Sequence, residues 1–295
     1  MNWKLRSAVS LSISLFALCE ANRVSAQLEG EYQVQPVFSR YAEAQKNWVT
    51  VNTTARVFNN MDLQEANSFD GWGFDADVTL RVPFVEGLQV HVLWPFYTEG
   101  KGQVSDPTRL DYRKHIDIAG SGGVFDFNSV ELEYQLRKET NYGYNLSIHG
   151  GLGEAFRVLN TTTVDNDKYN HAGDNILFGL RADWRHGEDL RFIACLGGRY
   201  YYKSDDINPA GYDTREEFAL ADISGAAIWH PWKAPIYPVA ELVYQGNFSS
   251  YNSLLFVPEV IWASCKNFEL KVAGTVGLTS AGETVGGRIQ GTVRF

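Results

Sequence analysis

The sequence has few cysteines, no long apolar run beyond its first residues and no excess of basic charge. Three cysteines in 295 residues are too few for a scaffold held by several disulfides. After residue 26 no apolar run reaches the roughly 18 residues of a transmembrane helix, so such helices are excluded. The formal net charge is −9, and an acidic chain without a basic cluster is a poor partner for nucleic acid. Two classes remain: a soluble secreted domain, or a membrane barrel, whose alternating strands escape hydropathy analysis.

The first 26 residues have the layout of a secretory signal peptide. Lys4 and Arg6 give a positive start, residues 8–19 are apolar, and the small residues of 24–26 place a cleavage site after Ala26. Cleavage would remove three basic residues and one acidic residue, so the net charge of −9 would become −11. The mature chain is therefore expected to be exported from the cytoplasm.

Alternation of apolar and polar residues with a period of two dominates the rest of the chain. In residues 72–84 every even position is apolar, while Asp75, Asp77, Thr79 and Arg81 stand at odd positions. Many such segments run eleven to thirteen residues, whereas strands of soluble proteins average about 5–6 and tilted membrane strands need about 9–11. The predicted strands are 48–58, 72–84, 88–98, 126–138, 142–154, 173–185, 189–203, 217–229, 236–246, 253–264, 267–278 and 283–295.

The connections between these strands differ in length in a regular way. Those after even-numbered strands hold only a few residues, whereas most of those after odd-numbered strands are long, and only the last, near 280–282, is short. Short periplasmic turns that alternate with longer outer loops are typical of bacterial single-chain barrels. An even number of strands then places both termini in the periplasm. The predicted long loops are 59–70, 99–125, 155–172, 204–216 and 247–252.

Aromatic residues cluster at the two ends of the predicted strands. Near the short turns are Phe84, Trp184, Trp229, Trp232, Tyr237, Phe268 and Phe295. Near the long loops are Trp72, Phe74, Phe96, Tyr200, Tyr202 and Tyr244. Two aromatic belts are expected of a membrane barrel. We therefore predict an all-β fold, a transmembrane antiparallel up-and-down β-barrel of about twelve strands over residues 48–295.

The end of the chain resembles known outer-membrane proteins. Residues 287–295 alternate and end in Phe295, which looks like the terminal signal that the barrel-insertion machinery reads. This resemblance implies that machinery and outer-membrane lipids as partners. The stretch that includes 256–260, 268–271 and 277–280 and continues to the end resembles an outer-membrane transporter family linked to meta-pathway phenol degradation. The second likeness implies a transport role, contains no diagnostic site residues and says nothing of phenol.

The inward faces of the predicted strands carry charges of both signs. One interpretation is a porin-like wall that admits small solutes by passive diffusion, which we favour; the other is a packed interior of salt bridges that closes the barrel. Eight strands are filled by side chains and about sixteen hold a water channel, so twelve leave both open. The near balance of signs predicts weak ion selectivity. The predicted pore-lining residues are Asp75, Asp77, Arg81, Glu131, Glu133, Arg181, Asp183, Arg191, Arg199, Glu241, Glu259 and Arg288, with Arg137, Glu269, Lys271 and Arg294 on the same faces.

Two other functions remain open from the sequence. Ser147 and His149 stand two apart on one predicted strand and could serve a lipid hydrolase, in which a base activates a serine nucleophile. A closed structural or surface-binding barrel could instead engage a partner through the loops 99–125 and 155–172. Three ordinary inward polar residues explain Ser147, His149 and their neighbour Asn145 more simply, so we do not expect an enzyme.

The remaining features indicate neither a cofactor nor a metal. No His/Cys cluster has the spacing of a zinc site. Cys195 lies in mid-strand and Cys265 in a turn several strands away, so we expect two isolated thiols. Residues 27–47 are ambiguous: a periplasmic extension, an inward plug and a further strand are all consistent with their sequence.

Overall fold

The computed structural model describes residues 34–42, 48–62, 68–105, 113–120, 128–161, 168–206, 218–230, 234–249, 252–265, 267–280 and 282–294. They form thirteen strands and one short helix, α1 (Glu139–Tyr142). The strands are β1 (Trp48–Asp62), β2 (Ser68–Val85), β3 (Leu88–Ser105), β4 (Arg113–Gly120), β5 (Asn128–Arg137), β6 (Asn145–Thr161), β7 (Lys168–His186), β8 (Leu190–Asp206), β9 (Phe218–Trp229), β10 (Ile236–Gly246), β11 (Asn252–Cys265), β12 (Phe268–Gly277) and β13 (Val285–Arg294).

The strands close into an antiparallel barrel with twelve positions in its wall. The first and last strands meet, with Trp48 opposite Arg294 and Val57 opposite Val285. Strands β4 and β5 share one position, because β3 pairs with β5 along its first half and with β4 along its last eight residues, Thr98–Ser105. The predicted twelve-stranded barrel is confirmed.

Several strands continue into segments that were predicted to be loops. Strand β4 lies wholly within 99–125, β6 continues to Thr161, and β7 begins at Lys168. Those loop boundaries were wrong for a physical reason. Main-chain pairing needs no apolar face, so a strand can continue after it leaves hydrocarbon, while the alternation that marks it in the sequence stops at the membrane surface.

The two faces of the wall are the reverse of those in a soluble protein. On β5 the outward residues Val130, Leu132 and Tyr134 are more than half exposed, whereas the inward Glu131 and Glu133 are buried. The same inversion extends around the barrel, where exposed large apolar side chains alternate with buried polar ones. An apolar outer band with a polar interior is the arrangement of a transmembrane barrel.

A charge on the outer face is expected to destabilise the barrel in proportion to its depth. Leu132→Lys, in the middle of β5, should reduce the free energy of folding into lipid vesicles by about 2–4 kcal/mol. Leu136→Lys is the matched control on the same face near the short-turn end, where the penalty should be about 0–1 kcal/mol. Urea titration of both variants in vesicles measures the difference, and equal losses would contradict a hydrocarbon-facing wall.

The short turns are built on glycines with positive φ. Gly87, Gly143 and Gly187 have φ near 70–77°, a region that side-chain-bearing residues rarely adopt. At one of these turns Lys138 Nζ donates a hydrogen bond to Glu86 Oε1 (2.5 Å), and this contact lowers the pKa of Glu86. Within the described residues no helix is long and apolar enough to cross a membrane.

The aromatic belts need one correction. Tyr237 was assigned to the belt near the short turns, but its side chain is buried and faces inward, where it stacks on His230 with ring centroids 4.2 Å apart. The assignment was wrong because Tyr237 alternates with Ile236, which takes the outward position. Trp232 and Phe295 lie outside the described residues.

Candidate functional site

All twelve residues predicted to line the pore stand at inward-facing positions of the wall. Arg191 and Arg199 are half-buried. The other ten are buried: Asp75, Asp77, Arg81, Glu131, Glu133, Arg181, Asp183, Glu241, Glu259 and Arg288. Glu269, Lys271 and Arg294 are also buried and inward.

Arg137 does not join this inward set. The register between β5 and β6 shifts after Gln135, which takes Arg137 out of the alternation. Its guanidinium carbon lies 4.3 Å from the centre of the Tyr142 ring, at the short-turn end of the barrel, and its side chain is exposed. The expectation that Arg137 faces the lumen was wrong because a local register shift is invisible to simple period-two counting.

One group of inward charges, the Arg181 cluster, joins β3, β5, β6 and β7. Arg181 donates to Glu131 Oε2 at 2.6 Å and to Glu133 Oε2 at 2.5 Å. Glu133 also contacts His91 Nε2 at 2.8 Å and accepts a hydrogen bond from Ser147 Oγ. The guanidinium of Arg181 therefore links two buried carboxylates. His91 was not among the predicted pore-lining residues, although the alternation of β3 places it on the inward face together with Gln89.

A second group of charges lies nearer the opposite end, where β1, β2 and β13 meet. Arg56 lies between Asp75, at 3.3 Å, and Glu283, at 3.2 Å. Asn52 Nδ2 donates to Asp77 Oδ2 at 2.7 Å. Arg56 and Glu283 were not anticipated, although the alternation of β1 places Arg56 on the inward face and could have revealed it.

Residues 34–42 lie inside the barrel and form no strand. Val34, Ser39, Tyr41 and Ala42 are each at most 3% exposed. Of the three interpretations left open by the sequence, this placement corresponds to an inward segment. We refer to residues 34–42 as the lumenal segment. Residues 27–33 and 43–47 lie outside the described residues.

The lumenal segment runs along the inner wall, roughly across the strands. Its contacts follow chain order: Gln35 N donates to Glu269 on β12 at 3.5 Å, and Val37 N donates to Glu259 on β11 at 3.2 Å. The later contacts, in the same order, are Phe38 N and Ser39 N to Glu241 on β10 at 3.1 and 2.7 Å, Ser39 Oγ to Ser224 Oγ on β9 at 3.0 Å, Arg40 N to Cys195 Sγ on β8 at 3.4 Å, and Ala42 N to Asp183 on β7 at 2.9 Å.

Arg40 connects the lumenal segment with strands on the opposite side of the barrel. Its guanidinium lies 3.2 Å from Glu131 on β5 and 3.4 Å from His91 Nδ1 on β3. The ring of Phe38 packs beneath Arg288 of β13, whose guanidinium carbon is 4.2 Å from the ring centre. Side chains from β3, β5 and β7 through β13 thus meet the lumenal segment, which crosses the interior of the barrel.

The lumenal segment also packs against an apolar patch on the inner wall of the barrel. Val34 and Tyr41 pack in one cluster with buried inward residues of β8 to β11. Of these strands, β9 to β11 were the least regular in the sequence, because their inward positions near the short turns are apolar as well. The apolar patch consists of Ile193, Ala226, Ile228, Tyr237, Val239, Ile261 and Ala263.

Glu241 and Glu259 differ in their partners from the inward carboxylates that pair with arginine. Glu131, Glu133, Asp183 and Glu269 each lie within 4 Å of an arginine nitrogen. Among the described residues, no basic side-chain nitrogen lies within 4 Å of Glu241 or Glu259; their carboxyl groups interact with each other and accept hydrogen bonds from the main chain of the lumenal segment. No donor in the described part of the chain bonds to Glu259 Oε2, which is buried.

Ser147 and His149 do not have the geometry of a nucleophile and its base. Ser147 is fully buried, and its hydroxyl donates to Glu133. His149 packs against Gly179 of β7, where an added Cβ would lie 2.6 Å from His149 Cε1. Both side chains face the lumen, away from the lipid that a hydrolase of this kind would attack.

The thiol of Cys195 is free, whereas the side chain of Cys265 lies outside the described residues. Cys195 Sγ contacts both the main-chain nitrogen and the carbonyl oxygen of Arg40, at 3.4 and 3.5 Å. In the described part of the chain, no group of three or more His, Cys, Asp or Glu residues is arranged to hold a metal ion.

The sequence matches no protein-family model and no curated protein. Solved structures do match its fold. The transport unit of the autotransporter AIDA-I from Escherichia coli superposes with a TM-score of 0.60 at 10% identity, over 89% of this chain and 93% of that one. The translocator domain of the autotransporter NalP from Neisseria meningitidis gives 0.55 at 10% identity, over 96% and 98%.

An outer-membrane channel from Pseudomonas putida F1 superposes with a TM-score of 0.55 at 9% identity, over 90% of this chain and 98% of that one. At these identities the likeness concerns the fold. The chain has the fold of bacterial outer-membrane β-barrels.

Proposed function

We propose that this protein is an outer-membrane channel that admits small solutes by passive diffusion. In this proposal the signal peptide is removed after Ala26, the barrel-insertion machinery places the barrel among outer-membrane lipids, and both termini face the periplasm. The observation that carries the proposal is a closed barrel with an apolar outside and an inner wall of buried charged residues. A lumen built this way suits the passage of polar solutes.

The lumenal segment gives the channel a closed conformation. It crosses the interior near the short-turn end and is held largely by single hydrogen bonds from its main chain to wall carboxylates. Each bond of this kind is individually modest, on the order of 1.5–3 kcal/mol when one partner is charged. Conduction in this proposal requires the lumenal segment to leave its place. The Pseudomonas putida protein is an outer-membrane channel with a similar fold, and this supports the proposal by analogy.

Electrical recording tests the proposal directly. The full chain, folded in detergent and added to planar lipid bilayers, is expected to produce discrete conductance steps that alternate with closed periods. Liposomes that contain the protein should swell in small sugars and amino acids, and the swelling rate should fall with solute size. A barrel that is shown to be folded and inserted by its altered electrophoretic mobility, but gives neither current nor swelling, would instead be a closed structural or surface-binding barrel.

A further inference from the structure

We propose that Glu241 and Glu259 form a binding site for cationic N–H donors in the open lumen. The solutes it takes are small organic ammonium ions, and the main-chain N–H groups of residues 37–39 occupy their place in the closed conformation. This inference rests on the proposed channel function and adds a class of solute to it.

The first argument concerns the interaction partners of the inward carboxylates. Buried carboxylates are normally paired, because an isolated charge is costly to take out of water. Arginines supply that pairing at several inward carboxylates: Glu131, Asp183 and the half-buried Asp222 lie 2.6, 3.2 and 2.7 Å from Arg181, Arg191 and Arg199. Glu241 and Glu259 instead accept hydrogen bonds from main-chain N–H groups that belong to a separate segment.

The second argument concerns geometry. Glu241 uses its two carboxylate oxygens for two consecutive N–H groups, at 3.1 and 2.7 Å, while Glu259 Oε1 accepts a third at 3.2 Å. The two glutamates lie on neighbouring strands, where Glu241 pairs with Val257 and Glu259 is two residues further along β11. Their carboxyl groups are close enough to interact with each other. They therefore present a convergent set of acceptors, and an ammonium group offers the matching set of donors with a full positive charge.

The third argument is an unused acceptor. Glu259 is 3% exposed, and no described donor reaches its Oε2. A neutral N–H group satisfies one acceptor at a time, whereas an ammonium carries three donors. When the lumenal segment leaves, it also removes the positive charge of Arg40 from the lumen. Lys271 also acts on Glu259, but its ammonium group lies 3.5 Å from Glu269, so the open wall keeps an excess of negative charge at this pair, which favours cations over anions.

Ion selectivity of the full-length chain tests the inference. In a KCl gradient across a planar bilayer, the reversal potential gives the ratio of cation to anion permeability. Replacing KCl on one side with methylammonium or tetramethylammonium chloride compares a cation that donates N–H hydrogen bonds with one that cannot. A ratio is the right measure, because it does not depend on how often the lumenal segment leaves.

Wild type is expected to be more permeable to cations than to anions. It should also be more permeable to methylammonium than to tetramethylammonium, by more than the difference in size between the two ions explains. The double variant Glu241→Gln, Glu259→Gln should lower the cation-to-anion ratio about tenfold, which corresponds to about 1.4 kcal/mol, and should lose the additional preference for methylammonium. Glu241→Asp keeps the charge and should retain most of the selectivity. The matched control is Asp222→Asn, which removes one inward carboxylate already paired with Arg199 at 2.7 Å; it should lower the cation-to-anion ratio by well under half as much as the double variant and should leave the preference for methylammonium unchanged.

The outcomes separate the two proposals. A folded, inserted wild type that never conducts would overturn the channel function and this site with it. A conducting protein whose permeability ratios are the same in wild type and in the double glutamine variant would leave the channel intact and overturn the site. A decrease in Asp222→Asn about half that of the double variant, which removes two carboxylates instead of one, would also overturn it, because the effect would then come from the net charge of the wall.

Discussion

Oxidation of the double variant Ser39→Cys, Ser224→Cys is expected to abolish conductance, and reduction with dithiothreitol is expected to restore it. The two native hydroxyl oxygens are 3.0 Å apart, and Ser39 belongs to the lumenal segment while Ser224 belongs to the wall strand β9. Side chains at this separation are within reach of a disulfide, whose Cβ atoms lie about 3.5–4.5 Å apart. The bridge would hold the lumenal segment inside the barrel and keep the closed conformation.

Cys195 is the register partner of Ser224, so its native thiol would compete with Ser39→Cys for a disulfide with Ser224→Cys. Cys195→Ser and Cys265→Ser should therefore be introduced first, so that only one pair can form. Mass spectrometry of the oxidised protein confirms the bridge, and single-channel recording before and after reduction measures the effect.

A second disulfide provides the matched control. The hydroxyl oxygens of Thr50 on β1 and Thr292 on β13 are also 3.0 Å apart and buried, and the two residues face each other across neighbouring wall strands. Thr50→Cys, Thr292→Cys should form a bridge within the wall and leave conductance close to that of wild type. If the Ser39–Ser224 bridge forms and the oxidised channel still conducts as well as the reduced one, displacement of the lumenal segment is not the step that opens the lumen.

Arg181→Met is expected to destabilise the barrel by about 3–5 kcal/mol, because it leaves the buried Glu133 without an arginine and the buried Glu131 with Arg40 alone, at 3.2 Å. Glu131 and Glu133 are 6% and 1% exposed, and both accept hydrogen bonds from Arg181 at 2.6 Å or less. Urea-induced unfolding from lipid vesicles, followed by tryptophan fluorescence, measures the loss of stability.

Arg199→Met is the control for this measurement. The Arg199–Asp222 pair is at a similar distance, 2.7 Å, but its side chains are 23% and 30% exposed, so its loss should cost less than about 1 kcal/mol. Adding Glu131→Gln and Glu133→Gln to Arg181→Met should recover part of the stability, because the two buried charges that lost Arg181 are then gone. Equal losses in Arg181→Met and Arg199→Met would show that the Arg181 cluster is not desolvated as its burial indicates.

Much of the wall could be predicted from the sequence because a membrane strand reports its environment locally. On β5 the exposure of Leu132 and the burial of Glu133 follow from the two directions of neighbouring side chains. The same alternation fixed the number of strand positions and the inward placement of residues such as Asp75 and Arg288. It failed where a register shift intervened, as at Arg137, and where strands left hydrocarbon, as at β4.

The placement of the lumenal segment could not be predicted in this way. Its residues show no periodicity, and their partners are distant in the sequence: Ala42 bonds to Asp183, and Ser39 bonds to Glu241. One signal was present, namely the weak alternation of β9 to β11. Their inward apolar residues, such as Ile228 and Ile261, have to be shielded from water by other apolar side chains. That signal shows that something packs against these residues but does not identify it.

By itself, the sequence determined the fold class, the number of wall positions and the face on which most of the inward charges lie, because neighbouring side chains of a membrane strand face hydrocarbon and lumen in turn. Only the tertiary structure decided which charges pair with one another and what fills the interior, because those contacts join strands far apart in the chain. The distinction between Glu133, which has an arginine partner, and Glu241, which has main-chain partners, belongs to this second kind. It arises from closing the sheet around residues 34–42.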